Sequence, residues 1–98
     1  MERDYLARQV SVVGDPGVIT VATDLPAEAT HFVVTAVAGP DALTLTLTGP
    51  GTTYFFNYGV NPWIKIALNR TGAAPVTALS LDASGAGNCT LVGFWIGS

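Results

Sequence analysis

His31 and Cys89 are the only histidine and the only cysteine of this 98-residue chain, and they are the one thiol–imidazole pair it could assemble. A thiolate activated by an imidazole is a nucleophile for acyl transfer, provided that a third group orients the base. No nucleophile elbow surrounds either residue. Both fall within or at the edge of segments that read as strands, where a lone cysteine is far more often a buried structural thiol. Asp15, Asp24, Asp41 and Asp82 could lend carboxylates to a calcium loop, but each stands alone beside a turn, without the alternating acidic spacing such a loop needs. Their ordinary role is turn chemistry, in which Asp bonds to nearby backbone. Gly85-Ala86-Gly87 has the composition of a phosphate cradle, yet it leads into a strand rather than a helix N-terminus. The expectation is a chain that is not an enzyme, with no catalytic residue, metal or cofactor.

The elements around these residues read as strands throughout. Leu43-Thr44-Leu45-Thr46-Leu47-Thr48 alternates strictly, which puts every leucine on one face and every threonine on the other. Turn signals recur at Gly14-Asp15-Pro16-Gly17, Asp24-Leu25-Pro26, Gly39-Pro40-Asp41, Gly49-Pro50-Gly51, Asn61-Pro62, Thr71-Gly72 and Ser84-Gly85-Ala86-Gly87. They delimit eight predicted strands: 8–13, 18–23, 32–38, 42–48, 53–58, 63–68, 76–81 and 89–96. Only Pro26–Ala29, with Asp24 and Glu28 at helical spacing, suggests a helical turn. Eight short strands at this spacing point to an all-β protein, a compact eight-stranded antiparallel β-sandwich of jelly-roll type. An immunoglobulin-like sandwich is the alternative, although the Cys…Trp…Cys spacing of true immunoglobulin domains is missing. The predicted organisation is an N-terminal arm over residues 1–8 and a single sandwich domain over residues 9–98.

The apolar fraction is 49% and the charged fraction 11%, less than half the roughly 25% charged of an average soluble protein. A domain this small has a thin core, so part of the surplus is expected at contacts between subunits. The net charge of −3 argues against nucleic acid as a partner. No apolar run reaches the length of a membrane span. The opening Met1-Glu2-Arg3-Asp4-Tyr5-Leu6-Ala7-Arg8 has no apolar signal region, so export through a signal peptide is not expected. Those first eight residues hold Glu2, Arg3, Asp4 and Arg8 of the chain's eleven charged side chains. They read as an arm that anchors on a neighbouring subunit through Tyr5 and Leu6.

Two further segments carry apolar side chains on both faces. In the last strand Val92, Phe94 and Ile96 oppose Leu91 and Trp95. Such a strand is central in the fold or sits at a subunit contact. The second segment is aromatic, with Tyr54, Phe55, Phe56, Tyr58 and nearby Trp63. Core packing is the expectation for Phe55, while exposed Tyr and Trp rings serve protein interfaces or stack on sugars. The candidate interface residues are Tyr5, Leu6, Tyr54, Phe56, Trp63, Phe94, Trp95 and Ile96.

Eight strands, the Leu43–Thr48 alternation, the Gly-Pro turns and a charged N-terminal arm together resemble the small β-sandwich virion proteins of tailed bacteriophages, of the head-decoration or cement type. The resemblance covers the whole chain by pattern and has no diagnostic motif. It implies a structural protein of the virion, made in the host cytoplasm. Such a protein acts as a homo-oligomer, a trimer above all, through contacts with itself and other capsid proteins. A carbohydrate-binding module for host recognition, with a glycan as ligand, is the alternative function.

Overall fold

The computed structural model describes residues 7–97, and the alternating segments form eight strands. They are β1 (Gln9–Gly14), β2 (Gly17–Thr20), β3 (Ala29–Ala38), β4 (Leu43–Thr48), β5 (Thr52–Phe56), β6 (Ile64–Ala67), β7 (Ala78–Asp82) and β8 (Cys89–Gly97). Two four-stranded sheets result, β1-β8-β3-β6 and β2-β7-β4-β5. The pairs β1·β8, β2·β7, β3·β6 and β4·β5 are all antiparallel. This is one long hairpin rolled up on itself, the wrapping of a jelly roll. An immunoglobulin-like sandwich keeps its first two strands in one sheet; here β1 and β2 lie in different sheets, which excludes that alternative.

The alternation decides which side chains meet between the sheets. Leu43, Leu45 and Leu47 are buried and pack with Ile19, Leu79 and Leu81 of their own sheet. From the facing sheet come Phe32, Val34, Val37, Ile66 and Leu91. Each such side chain contributes about 1.5–3 kcal/mol relative to an exposed one. Thr44, Thr46 and Thr48 point away from the core, the first two half-buried and the third exposed. β8 is central, between β1 and β3; its Leu91 and Trp95 face the core, while Val92, Phe94 and Ile96 lie on the outer side of the sheet, which centrality does not cover. Gly93 sits on its inner face opposite Val10 and Val34, where the Phe32 ring comes so close that a Cβ would stand 2.5 Å from Cε2.

Two bulges in β3 set the phase of the first sheet. Its register against β8 shifts between Ala29 and His31 and again between Val34 and Ala36. The extra residue is a threonine each time, and each hydroxyl donates to a β8 carbonyl: Thr30 to Ile96 O and Thr35 to Val92 O, both at 3.2 Å. The hydroxyl takes the place of a ladder donor that the bulge removes. After Thr35 the alternation inverts, so that Val37 as well as Val34 reaches the core.

The helical turn falls earlier than the sequence suggests. β2 stops at Thr20, and Val21–Asp24 forms a single turn, α1. Leu25 N–H donates to Val21 O, and Asp24 Oδ2 accepts from Thr20 N–H at 2.7 Å. Val21 and Leu25 are both buried, and their spacing of four lets one helical turn insert both where an extended chain would expose one. Pro26–Ala29, expected to be helical, is a turn closed by Ala29 N–H on Pro26 O. The segment 18–23 therefore is not strand to its end.

Candidate functional site: the outer face of the first sheet

Registers across β1, β8, β3 and β6 place four rows of side chains on the face turned away from the core. Val13, Thr90 and Ala38 form the first, Ser11, Val92 and Ala36 the second. Gln9, Phe94, Val33 and Lys65 form the third, and Ile96, His31 and Ala67 the fourth. Lys65 is the one Lys, Arg, Asp or Glu in these rows. Trp63, just ahead of β6, extends the third row: its ring meets Phe94 edge-on, centroids 6.1 Å apart at 62°. Trp63 is nevertheless 58% exposed and Val13 65%. The loop that delivers Trp63 is fixed to β3 by two hydrogen bonds between Val37 and Val60, each 2.9 Å. Trp63 adopts a left-handed backbone, φ 50°, as does Tyr58, φ 42°, a conformation that bulky side chains rarely take.

The structure sorts the candidate interface residues into three groups. Trp63, Phe94 and Ile96 lie on this outer face. Tyr54, Phe56 and Trp95 turn inward and pack against the core. Trp95 lies opposite Phe32, with the Arg8 guanidinium 4.4 Å from its ring centroid, a favourable cation–π geometry. Tyr5 and Leu6 lie outside the described residues. Val13, Ala36 and Val92 complete the face, and Val33, on the same side, is already covered within the chain at 7% exposure. Val33 and Ala36 belong to a run of apolar residues whose phase depends on the Thr35 bulge, so alternation could not assign them. Phe55, expected in the core, is 78% exposed. It pairs with Thr44 on the threonine face, because Tyr54 and Phe56 occupy the inward positions on either side.

The residues with potential for catalysis are kept apart. Cys89 is fully buried at one end of β8, opposite Gly14, while His31 lies opposite Ile96 on the outer face. Seven residues of strand, about 23 Å at the usual rise, separate Cys89 from Ile96. Burial pushes the Cys89 thiol above its ordinary pKa, and the nearby Asp82 and Asp15 charges push the same way, opposed by a backbone hydrogen bond at Ala83. That is the reverse of an activated nucleophile. Three of the four turn aspartates accept from backbone N–H groups: Asp24 from Thr20, Asp41 from Ala42 and Asp82 from Gly85. Among the described residues no three His, Cys, Asp or Glu side chains converge as a metal site would require, and no helix is long and apolar enough to cross a membrane.

Comparison with protein families, with curated proteins and with solved structures returns no match. The chemistry of the outer face is therefore the guide to function. A sheet face where Val13, Val92, Phe94, Ile96 and Trp63 lie among Gln9, Ser11, Thr90, His31 and Lys65 has the mixed apolar and polar composition of a protein-contact surface.

Proposed function

We propose that the chain is a non-enzymatic structural protein of a symmetric assembly, a capsid decoration or cement protein of a phage particle, working through protein–protein contacts. The observation that carries this reading is the largely apolar outer face of the β1-β8-β3-β6 sheet, with Trp63 and Val13 well exposed and Lys65 as the one charge among the described residues of its rows. Covering that face with a second copy buries apolar area worth about 25 cal/mol per Å², which adds to the stability of a domain whose own core is thin. Closed symmetric oligomers use such a patch repeatedly, and a trimer is the expected state.

Light scattering coupled to size exclusion over a dilution series tests the proposal. A closed oligomer that persists on dilution supports it; a monomer at high concentration that also fails to bind capsid shells removes it. A second reading, a carbohydrate-binding module, draws on Tyr58, which is 58% exposed on its left-handed backbone. A change in tyrosine or tryptophan fluorescence across a glycan panel would favour it over assembly.

A further inference from the structure

At one corner of the outer face, the turn before β3, the start of β3 and the β6–β7 loop border an open, shallow pocket of about 370 Å³. Its accessible apolar lining is Ala27 and Ala67, with Ala29 buried in the core beneath, and its sign comes from Arg70. Both protons of Arg70 Nη1 are used on the protein, donated to Pro26 O at 2.6 Å and to Ala29 O at 3.2 Å. These bonds hold the guanidinium against the turn and leave its Nε–Nη2 edge without an acceptor among the described residues. That edge is the side-on fork that grips a carboxylate with two parallel N–H···O bonds.

The surrounding polar groups are already held in place. Asn69 has a left-handed backbone, φ 53°, and its Nδ2 donates to Ala73 O at 2.6 Å, while Gly72 N–H returns to Asn69 O at 3.1 Å. This small ring of bonds fixes the loop that carries Arg70 and Thr71. On the opposite wall the Thr30 hydroxyl, which donates to Ile96 O, stands 2.9 Å from His31 Nδ1. With its proton given to Ile96, the hydroxyl accepts from Nδ1–H, and Nε2 becomes the ring nitrogen able to meet a ligand.

We propose that this pocket binds an acidic sugar, a single pyranose ring bearing a carboxylate. The Nε–Nη2 edge of Arg70 takes the carboxylate, His31 Nε2 and the Thr71 hydroxyl meet ring hydroxyls, and Ala27 and Ala67 take the C–H face. Its volume lies at the small end of the range for ligand pockets, about 300–1,000 Å³, which matches one ring rather than an extended chain. Inorganic phosphate would satisfy Arg70 but make no use of the alanine lining. The pocket shares His31 and Ala67 with the fourth row of the outer face, so the proposal requires this corner to stay open in any assembly.

The test is a titration of ¹⁵N-labelled wild-type protein with methyl galacturonoside, methyl galactoside and inorganic phosphate, read from amide shifts. The expected result is a saturable shift at Thr30, His31 and residues 69–71 with the galacturonoside, and binding weaker by about tenfold or more for the neutral sugar and for phosphate. Arg70→Lys, which keeps the charge but loses the fork, is expected to weaken the galacturonoside by a similar factor. Three outcomes overturn the proposal: no saturable shift at these amides, equal binding of the galactoside or phosphate, or unchanged affinity in Arg70→Lys. The wild-type comparison of the three ligands decides the matter even if the variant does not fold.

Discussion

Trp63→Asn separates assembly from folding. Asn tolerates the left-handed backbone that Trp63 adopts (φ 50°), so the substitution removes the ring without adding strain at that position. Within the chain the ring's notable partner is Phe94, met edge-on at 6.1 Å, and such a pair is worth about 0.5–1.5 kcal/mol. A loss of that order is the expected change in folding stability. The exposed part of the ring matters for association. With 58% of the residue exposed and about 250 Å² for a whole tryptophan side chain, about 140 Å² is open to cover by a partner. At about 25 cal/mol per Å² this amounts to about 3.5 kcal/mol if cover is complete. Association never recovers the full area term, so the expected weakening lies between about tenfold and about 300-fold per contact. The two quantities are read by urea unfolding under conditions where the protein is monomeric and by the concentration midpoint of assembly in light scattering. An unchanged assembly midpoint in a folded Trp63→Asn protein would refute the assignment of this face to subunit contact.

Trp95→Ala is expected to act on folding instead: the ring packs against the core beneath Arg8, and its loss costs about 2–4 kcal/mol, seen as a lower urea midpoint with an unchanged slope. Gly93→Ala forces a methyl against the Phe32 ring and the Val33 carbonyl. Overpacking of this kind costs about 1–3 kcal/mol or more, and Phe32→Leu should restore only part of it because the backbone carbonyl cannot retreat; full recovery in the double variant would show that the ring alone is the obstacle. Cys89 provides a pH test. Burial, then Asp82 and Asp15, raise its pKa above 9.0 in the folded protein, so the unfolded chain ionises first. The thiol's contribution is complete below about pH 9 and is lost as pH rises through the folded value. The alkaline fall in unfolding midpoint should thus be steeper in the wild type than in Cys89→Ala, and parallel curves would contradict the burial argument.

Much of this architecture was legible in local pattern because a strand facing a single core must alternate. Leu43–Thr48 needs only its period to assign faces, and the Gly, Pro and Asp turns bound the strands to within a few residues. Phe55 shows where pattern gives out. In Tyr54-Phe55-Phe56 every residue is apolar, so either phase suits a core, and pairing of Tyr54 with Leu45 and Phe56 with Leu43 is what turns Phe55 outward. The candidate face was legible in β8, where Val92, Phe94 and Ile96 share a side. It was not legible in β3, where a threonine bulge changes the phase midway. Arg70 and His31 could not be joined by sequence reasoning, since they come together only when β6 and its loop lie against β3.

What can be read from the chain alone is an all-β protein of eight strands with a high apolar content. These are properties of period, turn chemistry and composition, which act over a few residues. Folding in three dimensions sets which strands are neighbours, that the rolled hairpin makes β8 central, which side of the aromatic cluster is wet, and that Arg70 lines a pocket with no ion-pair partner among the described residues. Each of these depends on contacts between segments tens of residues apart, whose energies lie in packing and hydrogen bonding across strands rather than in any local preference.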